Sequence, residues 1–386
     1  MITNVLTVLA DDITGAAEIA GVCLRFGLSV AFDFDFNMQR QPSTDVWIIA
    51  SDTRSLTEKE ACKAVRKVAR RLKTLQVKTV FKKIDSALRG HVLPEINALC
   101  ENLPAEKVFI LPANPETGRT IQDGIYRING LPLHQTSFAD DPDFPVQTAV
   151  VRDILHTGAR SHSPPHKGGA GGEVITPDIS TKEDYEEYAR QLRPGILPVG
   201  GSVFFEACLP VFFPSAKPHA VAPEPVCKES SILMICGSTH EASKQFVREN
   251  QLFKRLEIAS GFVEELLEEP ENLRVWAAGA AFIFMQHKKL IISLKNENGS
   301  WVSSEKVKEL LAKITAELLN RCRIDELLIE GGSTAHACLQ AAGFASLIPV
   351  QEYARGVVRF QIPGRENLHL TMKPGSYEWS SKIFKS

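Results

Sequence analysis

The sequence has almost no excess charge of either sign: 44 Lys and Arg stand against 46 Asp and Glu, a net charge of −2. That excludes a broad basic surface for nucleic acid, so an anionic ligand must be met by cations gathered locally. No stretch approaches the roughly 18 consecutive apolar residues of a membrane span. The N-terminus shows neither a basic region nor a small-residue cleavage site. A cytoplasmic protein with no membrane partner is expected. The eight cysteines include no CxxC pair and have no histidine set beside them. They read as reduced packing residues rather than as a zinc site.

Apolar material is plentiful, at 44% of 386 residues, a length that suggests about two or three domains. Apolar runs near 5–10, 46–51, 78–84 and 107–111 alternate with helical patterns near 14–26 and 57–75. This order implies a mainly parallel sheet with helices on its faces. In the second helix Ala61, Ala64, Val65, Val68, Ala69 and Leu72 recur at helical spacing. A helix near 181–192 and a strand near 197–206 are expected to complete the first domain, 1–208. The Gly-, Pro- and Ser-rich stretch at about 158–172, with His162 and His166, reads as a mobile loop. A proline-rich linker over 209–227 leads to a second domain, 228–386. There the order strand, Gly-Ser turn, helix occurs at 231–249 and again at 327–342.

The chemistry gathers at strand ends. Asp11-Asp12-Ile13-Thr14-Gly15 lies between a strand and a helix, where open parallel sheets build ligand sites. One aspartate there serves as an ordinary helix cap, but a cap needs only one of two, and neighbouring strand residues face opposite ways. Residues 81–91 place Lys82, Lys83, Asp85, Ser86, Arg89 and Gly90 after the next apolar run, with cations suited to a carboxylate or phosphate. Lys82 alternates with Val80 and Ile84, so it lies on an apolar face and needs a partner. Arg54 follows a third strand, and Arg119 sits in the Pro- and Gly-fixed segment 112–124 after a fourth. In the second domain Gly331-Gly332-Ser333-Thr334 is a glycine-rich turn at a helix N-terminus, suited to phosphate, though it lacks the P-loop pattern. Ser238, after Gly237, and Gly375, in Lys373-Pro374-Gly375-Ser376, lie in similar turns. Together these turns favour a nucleotide.

In this order, the segments resemble the four-carbon acid sugar kinase family, ATP-dependent enzymes that phosphorylate threonate, erythronate or 3-oxo-tetronate. Asp11 to Gly15 matches the family's opening motif. Lys82 to Gly90 matches its Lys-x-Asp-Ser-x-Leu-Arg-Gly segment, and Pro112 to Gly124 its Pro-Ala-x-Pro-x-x-Gly-Arg segment. Gly331 to Ala335 resembles its Gly-Gly-acidic-Thr-Ala motif, with Ser333 at the acidic position. His91 stands where asparagine is common, and the ending Pro374 to Glu378 differs from the family's Ser-Gly-Asn-Phe-Gly.

The resemblance implies two α/β domains with mainly parallel sheets and the active site in the interdomain cleft, the sugar acid on the N-terminal domain and ATP on the C-terminal one. It assigns Ser238, Gly331, Gly332, Ser333, Thr334 and Gly375 to the nucleotide. Transfer of the ATP γ-phosphoryl group to a hydroxyl, with Mg2+, is then expected. Arg89 and Arg119 are the candidates for the substrate carboxylate, with Arg54, Lys82, Ser86 and Gly90 in support. Asp12 is the candidate to orient or deprotonate the acceptor hydroxyl, with Asp11 and Asp85 as alternatives. Two other readings fit the same residues. A Mg2+-dependent phosphatase would use Asp11 or Asp12 as nucleophile, although adjacent aspartates do not give the i, i+2 spacing such enzymes need. A non-catalytic sensor would bind sugar acid or nucleotide without turnover. A homo-oligomer is left open, and the metal ligands are not identified.

Overall fold

A computed structural model describes residues 5–34, 39–141, 144–157, 171–219, 222–238, 241–295, 302–375 and 377–384. Thus His162, His166, most of the expected mobile loop and Ser376 lie outside the described residues. Contacts divide the chain into two α/β units, Met1–His219 and Ala220–Ser386. Among the described residues no helix is long and apolar enough to cross a membrane.

The first unit is built on strands β1 (Leu6–Ala10), β2 (Val30–Asp33), β3 (Val46–Ala50), β4 (Thr79–Lys83) and β5 (Ala105–Leu111). A small antiparallel sheet of β6 (Arg119–Gln122), β7 (Ile125–Ile128) and β8 (Leu131–Pro132) follows, and then β9 (Gly171–Ile175) and β10 (Ile196–Gly200). The main sheet runs β2-β3-β1-β4-β10-β5-β9 with every pairing parallel. Its helices are α1 (Ile13–Arg25), α2 (Glu58–Thr74), α3 (Val92–Cys100), α4 (Val151–Thr157), α5 (Lys182–Arg190) and α6 (Ser202–Phe212). The periodicity of α2 is realised as expected: a capping box of Thr57 and Glu60 opens it, and Ala61, Val65, Val68, Ala69 and Leu72 are buried along one stripe. Helices cover both faces of the sheet. Phe81 of β4 packs against Phe204 and Phe205 of α6, whereas its neighbour Lys82 reaches Glu95 of α3.

Three expectations change here. The strand expected over 197–206 stops at Gly200, and α6 begins at Ser202. A Cβ at Gly200 would lie 2.4 Å from the Leu111 carbonyl oxygen, so the chain runs too close to β5 for a side chain. Beyond it Val203, Phe204, Phe205, Cys208 and Leu209 are buried as a helix face. Pro210 belongs to this helix rather than to a linker, although it has no N–H to donate to the Glu206 carbonyl. The segment after Pro112 is also more ordered than a loop, since a 3-10 turn at Pro115–Thr117 leads into β6 and β7.

The second unit consists of β11 (Ile232–Cys236), β12 (Lys254–Ala259), β13 (Lys289–Lys295), β14 (Glu326–Glu330), β15 (Ser346–Ala354), β16 (Val357–Ile362) and β17 (Arg365–Lys373). The order is β12-β13-β11-β14-β17-β16-β15, parallel through β17 and antiparallel from there. Helices α7 (Glu241–Glu249), α8 (Val263–Glu268), α9 (Pro270–His287), α10 (Ser304–Arg321) and α11 (Gly332–Ala341) complete it. One core cluster joins Met234, Ile291 and Leu328 of the sheet to Val247 of α7 and to Trp379, Ile383 and Phe384 near the end of the chain. Each such buried side chain contributes about 1.5–3 kcal/mol.

Candidate active site

Register aligns the carboxyl ends of five strands of the first unit in a single row, Ala50, Ala10, Lys83, Gly200 and Leu111. The segments leaving that row carry Arg54, Asp11 and Asp12, Asp85 to Gly90, and Arg119. A ligand site of an open parallel sheet forms at such an edge. The segment after β3 is drawn onto β1, since the Ser51 hydroxyl and the Arg54 amide donate to the Ala10 and Asp11 carbonyls at 2.7 and 3.1 Å.

Arg54 then joins all three aspartates. Its Nε and Nη2 donate to the two carboxylate oxygens of Asp11 at 3.0 and 2.9 Å. Nη2 also reaches Asp12 Oδ1 at 2.7 Å, and Nη1 stands 3.6 Å from Asp85 Oδ1. Arg89 grips Asp85 through Nε and Nη2 at 3.0 and 2.9 Å and reaches Asp141 with Nη1 at 3.0 Å. The turn carrying it is tight. Leu88 is left-handed at φ 60°, at a cost of about 1–2 kcal/mol, and Gly90 has φ 92°. Asp85 holds the turn by accepting the amides of Ala87 and Arg89 at 2.9 and 3.3 Å.

Asp12 is the N-cap of α1: it accepts from the Gly15 amide at 3.0 Å and from the Thr14 hydroxyl. The cap and the site are therefore the same side chain. A Cβ on Gly15 would fall 2.5 Å from Asp12 Oδ1 and 2.8 Å from Lys83 Nζ, so the motif needs glycine there for space. Burial alone would raise the Asp12 carboxyl, but Arg54 and Lys83 outweigh it and hold it below the usual carboxylate range. Asp85 behaves likewise, with Arg89 and Arg54 overcoming burial. Burial would also lower Arg54, yet Asp11 and Asp12 raise it well above its ordinary value. Asp12, Asp85 and Arg54 are therefore charged at neutral pH.

Arg119 is different. Its guanidinium bonds the Ser86 hydroxyl and lies 5.7 Å from the centre of the Phe138 ring, which Arg89 also approaches at 5.3 Å. Among the described residues it has no carboxylate partner. Phe138, Asp141 and Tyr126, whose hydroxyl bonds the Ser86 carbonyl, are site residues that no sequence spacing revealed. Lys82 does not belong with them. It is fully buried, with Nζ 2.7 Å from Glu95 Oε2 inside the core, so the partner it needed is a helix carboxylate rather than a substrate. Lys83, on the opposite face, is the lysine that faces the aspartates.

In the second unit β11, β14 and β17 end together, Cys236 beside Glu330 and Glu330 beside Lys373. Gly331 bends away at φ 93°, and α11 starts at Gly332, so Ser333 and Thr334 form its first turn. Their amides, with that of Gly332, open the helix without intrahelical acceptors. A Cβ at Gly237 would meet Thr334 Oγ1 at 2.3 Å, and one at Gly375 would meet Ser238 Oγ at 3.0 Å. Three backbone turns thus converge where an anion would sit, a geometry that fits a nucleotide phosphate. Lys373 is not free to neutralise it. Its Nζ lies 3.3 Å from Glu330 Oε2, donates to the Pro374 carbonyl at 3.1 Å and stands over the Trp379 ring. Among the described residues no group of three His, Cys, Asp or Glu side chains could hold a metal.

A unit with a cationic, carboxylate-rich sheet edge, joined to a unit with a glycine-lined helix N-terminus, has the plan of a two-domain phosphotransferase. Comparison with known proteins gives the particular family. Residues 6–167 match the model of a sugar-binding N-terminal domain, and residues 233–377 match that of a nucleotide-binding C-terminal domain. The chain is 24% identical over 377 residues to D-threonate kinase of Salmonella typhimurium, covering 88% of this chain and 86% of that one. It is 28% identical over 268 residues to D-erythronate kinase of Heliobacterium modesticaldum, covering 62% and 58%. A solved structure from Salmonella typhimurium superposes with a TM-score of 0.76 at 19% identity, over 98% of this chain and 97% of that one, and so shares the fold. The chain belongs to the four-carbon acid sugar kinase family.

Proposed function

We propose that the protein transfers the γ-phosphoryl group of ATP to a hydroxyl of a four-carbon sugar acid of the threonate, erythronate or 3-oxo-tetronate class. The observation that carries this reading is Arg119, a guanidinium without a carboxylate partner among the described residues, beside a cluster whose other arginines are already paired. In this reading Arg119 takes the substrate carboxylate, and Arg89, Ser86 and the Gly90 turn complete its pocket. Arg54 serves by fixing the three aspartates. Asp12 orients the acceptor hydroxyl through the remaining lone pair of Oδ2, with Asp11 and Asp85 as the alternatives. A carboxylate held this low is a poor base in the ground state. That suits phosphoryl transfer through a loose transition state, where the hydroxyl proton leaves late and alignment matters most.

The phosphates of ATP would lie on the Gly332, Ser333 and Thr334 amides, with Gly331, Ser238 and Gly375 shaping the cradle. ATP would supply the transferable phosphoryl group. The aspartates are neutralised by cations and offer no cage for Mg2+, so the ion would arrive on the phosphate oxygens, as it does where dedicated protein cages are absent. All eight cysteines are free, which suits a reducing cytoplasm.

A coupled ADP-release assay across tetronic and aldonic acids tests the reading. ADP release that depends on an added four-carbon acid supports it. Phosphate release from a phospho-acid without ATP would establish the phosphatase instead, and binding without turnover of any acid would establish the sensor.

A further inference from the structure

Helix α9 is apolar on two sides. Leu273, Ala277, Ala280, Ala281 and Phe284 are buried, and the helix packs on α10, β12 and β13. On the other side Val275, Phe282 and Met285 are 71%, 58% and 52% exposed, and Ala278 lies open among them. A helix that is apolar all round is ordinarily buried all round, and a contiguous exposed apolar patch marks a contact surface. Glu271, Val275, Ala278, Phe282 and Met285 follow one another at spacings of four, three, four and three residues. This is the repeat of a coiled-coil seam, a straight stripe along one side of the helix.

We propose that this stripe is a two-fold interface between two copies of the chain, in which the α9 helices pack antiparallel. The inference is independent of the phosphotransfer reading. What selects a second copy as the occupant is the self-complementarity of the stripe. With the two-fold axis level with residue 280, Ala278 receives Phe282 of the partner subunit, and Val275 meets Met285 of the partner subunit. Small faces large at the centre, as knobs-into-holes packing requires. Glu271, at one end of the stripe, comes level with the C-terminal end of the facing α9, capped by the exposed Lys288 of the partner subunit. Among the described residues Glu271 is held by an exposed 2.6 Å pair with Arg274, worth little in water, and so is available. A parallel arrangement would set Glu271 on its own counterpart and Phe282 on Phe282, repelling at one end and leaving Ala278 facing Ala278 across a gap. The antiparallel arrangement is isologous and closes on itself. One helix pair buries less than the roughly 1,200–2,000 Å² of a standard stable interface, so the dimer dissociates on dilution.

Sedimentation velocity of the full chain over a dilution series tests this. The wild type should pass from dimer to monomer as it is diluted, and Phe282→Glu should raise the dissociation constant at least tenfold without lowering the thermal midpoint. Glu271→Lys and Lys288→Glu should each weaken the dimer, and the two together should restore it. The proposal is overturned by a wild type that is monomeric throughout, by a dimer indifferent to Phe282→Glu, or by charge variants that the double reversal does not rescue. A monomeric wild type destabilised by Phe282→Glu would show that the same chain covers this face, which also overturns it.

Discussion

Arg119 and Arg54 are both arginines at one sheet edge, yet their removal should have opposite signatures. In the free protein Arg119 holds one neutral hydroxyl, that of Ser86, and lies near the Phe138 ring. Truncation to alanine strands no buried charge, and the lost ring contact amounts to about 0.5–1 kcal/mol. With substrate bound, the same side chain would make charge-assisted hydrogen bonds to a carboxylate, worth about 1.5–3 kcal/mol. At about 1.4 kcal/mol per decade this predicts a KM for the acid raised roughly tenfold to a hundredfold, with the KM for ATP unchanged. Arg54→Ala removes the cation shared by Asp11, Asp12 and Asp85. It should cost about 3–5 kcal/mol of folding free energy, as when one partner of a buried ion pair is deleted. Steady-state kinetics with each substrate varied, paired with urea unfolding, read both quantities. An Arg119→Ala enzyme with unaltered KM for the acid, or one as unstable as Arg54→Ala, would refute the division of labour.

Asp12→Asn should nearly abolish turnover while leaving ADP binding intact by calorimetry; near-normal turnover would remove Asp12 as the orienting carboxylate. Asp12 and Asp85 are held below the ordinary 3.8, so their stabilisation is complete above about pH 4 and is lost as the pH falls through their depressed values in the folded protein. Unfolding free energy set by these carboxylates should thus be flat from about pH 5 to 8 and drop in acid. Asp85→Asn should be less stable at neutral pH and show a shallower acid limb. Gly237→Ala places a methyl group 2.3 Å from Thr334 Oγ1 and should cost about 1–3 kcal/mol. It should also erase the thermal shift given by ADP; a normal shift would place the phosphates elsewhere.

The fold class could be read because its signals are local. An apolar run ending in Asp11-Asp12 and the 3.6-residue stripe of α2 each report on a single element. The segment 201–212 misled for the same reason: Val203-Phe204-Phe205 is an unbroken apolar run, and such a run cannot distinguish a buried strand from a buried helix. Alternation correctly set Lys82 on an apolar face, but both faces of a helix-covered parallel sheet are apolar. Which face held the aspartates depended on where α1 and α3 pack, and that made Lys83 the neighbour of Asp12. Convergence at strand ends brought Arg54, Asp85 and Arg89 together as charge and position suggested. Phe138, Tyr126 and Asp141 arrive by long-range packing of the small antiparallel sheet and the chain after it, which leaves no period in the sequence.

Residues 379–384 complete the core of the nucleotide-binding unit. Trp379, Ile383 and Phe384 fill its core, the Val226 amide at its start donates to the Ile383 carbonyl at 2.9 Å, and Trp379 Nε1 bonds Glu330, next to the Gly331 turn, at 3.0 Å. On the ribosome, domains fold as units from the N-terminus onward. Here the first unit has all its described strands and helices once residue 212 is made, whereas the second unit lacks part of its core until residue 384 has emerged. The first unit can therefore fold well before the second has its full core. A nascent or truncated product stalled between the two would expose the apolar seat of Trp379 to solvent and to chaperones.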